Sequence, residues 1–335
     1  MSEDVRTKLQ ASASGQNMRK RQSPKRKPLK KKEQVQEPTV EIQPIEYETQ
    51  AIEETANVLF KPNPGPQTDF LAAAEREVLY GGSAGGGKSY AMLSDPLRYM
   101  GHPAFSGLLL RHTTEELREL VFKSQELYPK IWPGIKWSER KMQWTAPSGA
   151  RLWMSYLDRD DDVLRYQGLA FSWIGFDELT QWATPYAWNY MRSRLRSTAA
   201  DLPIYMRATT NPGGRGHHWV KKMFIDPAPY NRAYDATDIE TGEVLRYPAG
   251  HAKAGRPLYK RRFIPARLSD NPYLAESGDY EAMLLSMPEQ QRRQLLDGDW
   301  DIKEGAAFTE FDRNIHVIEP FDIPSNWVKF RACDY

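Results

Sequence analysis

Eight consecutive residues constrain this chain more than any others: Gly82-Ser83-Ala84-Gly85-Gly86-Gly87-Lys88-Ser89. They satisfy G-x-x-x-x-G-K-[ST] in full. Glycines here let backbone N–H groups converge on phosphate oxygens without Cβ obstruction. A helix N-terminus behind the loop adds favourable partial charge. The flanks suit the motif, because Val78-Leu79-Tyr80 reads as a short buried strand and the run from Lys88 to Leu97 reads as helix. Lys88 would reach the β/γ-phosphates of ATP, and the Ser89 hydroxyl would ligate Mg²⁺.

The remaining pattern fits an α/β protein built around such a loop. Gly107-Leu108-Leu109-Leu110-Arg111 reads as a second buried strand. A helix is predicted from Thr114, with two glutamates behind it, through Tyr128. Residues 142–145 and 150–156 alternate around Pro147-Ser148-Gly149 and read as a hairpin. Leu169–Phe176 is a nearly continuous apolar run, as in a central parallel strand. Ile204–Thr209 reads as another strand, stopped by Thr210-Asn211-Pro212. Strands alternating with helices predict an open, mainly parallel sheet flanked by helices. Residues 226–262 look irregular, and residues 272–297 read as helices with Leu284, Leu285, Leu295 and Leu296 as core candidates.

A loop that hydrolyses ATP needs acids nearby. Asp177, after the apolar run ending at Phe176, would hold the Mg²⁺ water shell, and Glu178 beside it would take a proton from attacking water. Thr210 and Asn211 stand where open α/β sheets place ligands and would sense the γ-phosphate; the other reading of Asn211-Pro212 is a plain strand stop. Gln67 would read the adenine edge, or is simply an exposed loop residue. Arg165, with Arg192, Arg194 and Arg196 as weaker candidates, would supply charge to the transition state; the alternative is solvated surface. The six histidines show no metal-ligand spacing, and His217-His218 reads as a surface pair. Trp132, Trp137, Trp144, Trp153, Trp173 and Trp188 read as core or subunit contacts.

Composition enters at the ends. Residues 1–33 carry a net +8, residues 34–56 a net −6, and the rest is neutral, which hides two charged blocks inside a total of +2. Residues 1–45 are too polar to bury a core and are expected to be disordered. Their basic run would touch phosphates or an acidic protein. No stretch approaches eighteen apolar residues, so no membrane span is expected. The single cysteine, Cys333, excludes a disulfide framework and a Cys-rich zinc site.

Taken in order, these residues resemble one family. A Pro-Gly-Pro-Gln segment precedes Val78 to Ser89; then come Leu108 to Arg111, the hairpin, Arg165-Tyr166-Gln167-Gly168, Phe176-Asp177-Glu178, Thr209-Thr210-Asn211-Pro212 and Leu296-Asp297-Gly298-Asp299-Trp300. The set is similar to the large terminase subunit of tailed bacteriophages, the ATP-driven motor that packages DNA. The resemblance implies a P-loop NTPase of the additional-strand, catalytic-Glu type, with a small lid subdomain. It implies a charged arm over 1–56, an ATPase core over 57–252, and a lid with linker over 253–315. Residues 316–335 would be the first strand of an RNase H-like nuclease, with Asp334 its first metal ligand. Since the other nuclease acids are missing, no nuclease activity is expected of this chain.

By the same resemblance, residues 82–89 with Tyr90, Thr210 and Asn211 contact nucleotide, and Gln67 takes the adenine-reading place. Ser89 and Asp177 serve Mg²⁺, and Glu178 is the catalytic base. Family members with a trans-acting arginine carry it where Gln167 stands here, which leaves Arg165 as the candidate. The implied partners are double-stranded DNA, the portal protein, the small terminase subunit and copies of the chain in a ring, a pentamer on the portal. The implied location is the host cytoplasm and, transiently, the procapsid portal vertex. Two other readings stand: another P-loop DNA motor such as a helicase or RecA-like recombinase, and a nucleotide-gated DNA-binding or assembly module with little turnover.

Overall fold

Residues Glu77–Gly82 form strand β1, and every one of them is buried. A strand hidden on both faces must be flanked by other strands and covered by helices on each side. The computed structural model, which describes residues 60–302 together with 324, 326 and 327, shows how this is met. The short helix α1 (Pro66–Ala72) precedes β1. The phosphate loop follows β1 and leads into α2 (Lys88–Ser94).

Strand β2 (Ser106–Arg111) is followed by α3 (Thr114–Ile131). Thr113 caps α3: its Oγ1 accepts from the Glu116 N–H while Glu116 Oε2 accepts from the Thr113 N–H, each at 3.3 Å. Leu117, Leu120, Val121, Ser124 and Tyr128 then recur at helical spacing on the buried face. Strands β3 (Lys136–Ser138), β4 (Gln143–Thr145) and β5 (Arg151–Tyr156) form an antiparallel edge, with the expected hairpin between β4 and β5.

The apolar run narrows to β6 (Trp173–Phe176), which is followed by α4 (Tyr186–Arg192), β7 (Tyr205–Thr210) and α5 (His217–Val220). Strands β8 (Tyr234–Asp235) and β9 (Lys260–Ala266) close the other edge. Short helices α6 (Pro272–Ala275), α7 (Asp279–Leu285) and α8 (Glu289–Arg292) follow, and α8 runs into a π-helical turn over Arg293–Asp297.

The nine strands lie in the order β3-β4-β5-β2-β6-β7-β1-β9-β8. From β5 to β9 every neighbouring pair is parallel. Strand β7 stands between β1 and β6, so one additional strand separates the loop-bearing strand from the one that precedes Asp177. Alternate residues feed two cores. Val78, Tyr80 and Leu109 pack with α2 and α3 on one face; Leu79, Leu108 and Leu110 pack with Trp188, Trp219 and Phe224 on the other.

Several details differ from the sequence reading. Residues 260–266 belong to the central sheet, so the helices from 272 onward, not residue 253, begin the part outside it. The strand escaped detection because Arg261 interrupts its apolar pattern; Arg261 is buried there because Glu77 faces it. Leu284 is buried, but Leu285 is exposed and Leu295 and Leu296 are half-buried. Trp144, Trp173 and Trp188 are core residues, whereas Trp132, Trp137 and Trp153 are partly covered. Among the described residues no helix is long and apolar enough to cross a membrane. The charged arm and Asp334 lie outside the described residues.

Candidate nucleotide site

The site gathers at the carboxyl ends of β1, β7 and β6. Gly87 caps α2 in the left-handed region, at φ 77°. A Cβ there would come within 2.7 Å of Gln67 Nε2, so only glycine fits. Gln67 itself is 4% exposed, which dismisses the exposed-loop reading. Its Nε2 donates to the Gly87 carbonyl at 2.9 Å and its Oε1 accepts from the Asn63 N–H at 2.6 Å. The carboxamide therefore fastens α1 to the loop. Beside it opens a cavity of about 510 Å³ lined by Tyr90, Tyr273 and Leu274 with the polar side chains of Asn63 and Asn271.

Lys88 is buried, and its Nζ donates to the Ser83 carbonyl at 2.5 Å and to Asn211 Oδ1 at 2.7 Å. Burial pushes its ammonium below the usual lysine range, against the opposing pull of Glu178 and Asp177. Asp177 directly follows β6, and its Oδ1 accepts from the Thr209 hydroxyl. Its Oδ2 lies 3.1 Å from Arg111 Nε, an ion pair whose geometry is not that of a hydrogen bond. That buried oxygen has no hydrogen-bond donor on it.

Glu178 adopts φ 61°, a left-handed conformation rare outside glycine and asparagine. The bend turns its carboxylate toward the next strand end, where Oε2 accepts from the Asn211 N–H at 3.3 Å. Burial and the neighbouring Asp177 charge hold its carboxyl above the usual carboxylate range. A base with a raised pKa beside a buried cation is suited to proton abstraction from water.

The Thr210-Asn211 pair divides. Asn211 joins the site through Lys88 and Glu178. Thr210 is fully buried, with its hydroxyl 2.7 Å from that of Thr180, so it braces the loop behind Glu178. Arg165 stays on its own segment: its guanidinium donates to the Tyr156 carbonyl at 2.7 Å and covers the Tyr156 ring. Arg192 is engaged by Glu77, and Arg196 by the Gly168 and Leu169 carbonyls.

The residues present fit Mg²⁺ in the manner of P-loop proteins. Among the described residues no three His, Cys, Asp or Glu side chains gather as a metal cage. Mg²⁺ in such sites takes few protein ligands, keeps waters and leans on substrate phosphates. Ser89 on the first turn of α2 and the donor-free Oδ2 of Asp177 are the groups that would hold it.

Two participants escaped the sequence reading. Arg111 ends β2 beside Asp177, because Leu110 pairs with Phe176 across β2 and β6. A charge closing a wholly apolar strand was the available signal. His217 is no surface residue: its Nδ1 accepts from the Gly213 N–H at 2.8 Å, its ring stacks on Trp300 at 5.3 Å, and its Nε2 lies 3.2 Å from the Trp300 carbonyl. The segment carrying Trp300 also covers the phosphate loop. The Leu295 carbonyl accepts from the Ala84 N–H at 2.7 Å and the Leu296 carbonyl from Ser83 Oγ at 2.6 Å.

Residues 79–315 match the family described as terminase large subunit, T4likevirus-type, N-terminal. The chain belongs to that family. Among solved structures it is similar to the large terminase of a thermophilic bacteriophage in complex with ADP, at 16% identity and a TM-score of 0.51, over 79% of this chain and 60% of that one. A second crystal structure of the same thermophilic-phage terminase matches at 17% identity and a TM-score of 0.51, over 78% and 59%. The large terminase ATPase domain of Thermus phage P74-26 matches at 13% identity and a TM-score of 0.45, over 72% and 94%. Among curated protein sequences none matches. This terminase chain thus spans about 60% of the length of the first two structures it resembles.

Proposed function

We propose that this terminase chain hydrolyses ATP and couples the hydrolysis to movement of double-stranded DNA into a procapsid. The observation that carries the reading is the convergence of Lys88, Asn211, Glu178 and Asp177 at three adjacent strand ends. In this reading the loop amides and Lys88 hold the phosphates, with the base in the Tyr90–Tyr273 slot. Mg²⁺, when bound, neutralises developing charge on the phosphate oxygens. Glu178 takes the proton from the attacking water. Asn211 gives up Lys88 to the γ-phosphate and reports its loss through its N–H on Glu178. Arg111, 3.1 Å from Asp177 Oδ2, orients that carboxylate. In this reading Arg165, half-exposed on a short 3₁₀ segment, serves a neighbouring copy rather than its own site.

The partners in this reading are DNA, the portal protein, the small terminase subunit and four further copies in a ring, working at the portal vertex in the host cytoplasm. The test is ATP turnover by the purified chain alone, with DNA, and with portal-bearing procapsids and DNA. Turnover should rise with procapsids and DNA, and Lys88→Ala should abolish it while leaving the fold intact. Normal turnover in Lys88→Ala would sink the assignment. Portal-independent unwinding would point to a helicase, and nucleotide binding with negligible hydrolysis to an assembly module.

A further inference from the structure

A cavity of about 680 Å³, distinct from the nucleotide slot, opens at the amino ends of β1, β7 and β9. Six residues of β1 separate it from the phosphate loop, about 20 Å at roughly 3.3 Å per residue. A nucleotide held at Lys88 therefore cannot fill it.

Its walls are rich in donors. Arg76, Arg98, Arg207 and Lys260 line it, together with Tyr99, Tyr205 and Tyr259. Asp95 is shared by two of these cations: Arg98 at 2.7 Å and Arg207 at 3.8 Å. The exposed Lys260 meets the half-buried Asp235 at 3.2 Å. The lining carboxylate, Glu75, faces Arg262 from 3.9 Å. Arg76 has no carboxylate on it among the described residues; it rests against the Tyr259 ring.

One of the lining groups is buried with its donor unused: Tyr205 is 6% exposed and its hydroxyl has no hydrogen-bond partner. Arg207, 2% exposed beside it, donates to the Ala73, Glu75 and Met206 carbonyls and turns its Nε to Asp95. A buried polar atom left unpaired is costly, and such an atom in a native fold calls for a reason. A ligand accepting the Tyr205 hydrogen bond supplies one. Guanidinium forks and a phenol beside aromatic faces suit a phosphate ester, whose oxygens accept several donors while its organic part lies on the rings.

We propose that this cavity is a second phosphate-binding site, separate from the P-loop. Its ligand is a phosphate group, either free or in the backbone of duplex DNA. Arg76 supplies the uncompensated charge, and Tyr205 Oη supplies the buried donor.

The test uses the full chain in a Lys88→Ala background, which weakens the P-loop's own hold on phosphate, with inorganic pyrophosphate and a 20-base-pair duplex as separate probes. Arg76→Gln should weaken pyrophosphate binding by about tenfold or more, and Tyr205→Phe severalfold, as expected for charge-assisted and neutral hydrogen bonds. Arg76 is at the rim and the Tyr205 hydroxyl is unpartnered, so both variants should fold, as a thermal melt verifies. Equal weakening of the duplex identifies the DNA backbone as the source; an unaffected duplex identifies free phosphate. Pyrophosphate and duplex binding that are both unchanged in the two variants would overturn the proposal. So would binding of an acidic peptide at this cavity with neither phosphate probe. None of these outcomes depends on ATP turnover.

Discussion

Replacing Glu77 by Gln should be among the most damaging single changes in this protein, although it lies at the opposite end of β1 from the nucleotide loop. Glu77 is fully buried and holds two guanidiniums, Arg192 Nε at 2.5 Å and Arg261 Nε at 2.7 Å. Burial pushes its carboxyl up, but Arg261 and Arg192 outweigh that and leave it below the usual carboxylate range. Gln removes the charge and keeps the shape. Arg261, buried on β9 between β1 and β8, would then face a neutral amide. Breaking one side of a buried ion pair costs about 3–5 kcal/mol. At about 2–4 °C per kcal/mol for a fold of this size, the melting temperature should fall by roughly 6–20 °C. Calorimetry, paired with urea unfolding at constant m, measures it. A fall under about 3 °C would refute the reasoning, since the triad would then be contributing nothing net. The sign with pH follows. A lowered native pKa gives stability that is present above the unfolded value near 4.5 and lost as pH falls through the native one. Wild type should thus lose its margin over Glu77→Gln in acid.

The other predictions concern the site. Glu178→Gln should keep nucleotide binding and lower turnover by about 10²–10⁴-fold, read from single-turnover rates. Because the Glu178 carboxyl titrates above its usual 4.5, the acid limb of turnover should lie above that pH and vanish in Glu178→Gln. Gly298→Ala should cost about 1–3 kcal/mol, since φ is 64° and the new Cβ would sit 2.7 Å from the Ser83 nitrogen. Nucleotide affinity, measured by fluorescence titration, should fall with it.

The parts legible in sequence are those where local pattern and chemistry coincide. The glycine loop between an apolar strand and a helix could hardly be read otherwise, and Asp177-Glu178 follows a nearly continuous apolar run. The parts missed are those that depend on a partner far along the chain. Arg261 looks like a strand breaker until Glu77 is placed beside it. His217 looks exposed until Trp300 stacks on it. Gln67 and Thr210 were found, but their contacts show them fastening the loops after β1 and β6. Arg165 carried the expected charge, yet only its own segment holds it here.

The cover on the phosphate loop has a consequence for synthesis. Ser83 is hydrogen-bonded to Leu296, 213 residues further along. At about 5–20 residues per second, a ribosome makes that stretch in roughly 10–40 s. For that interval the nascent chain displays the whole G-x-x-x-x-G-K-S motif without the backbone that seats it. Translation pauses and cleavage before Leu295 would therefore yield polypeptides that carry the motif and lack the carbonyls on Ala84 and Ser83. The full hydrogen bonding of the loop arrives late in translation, with the segment that reaches back from the far end of the fold.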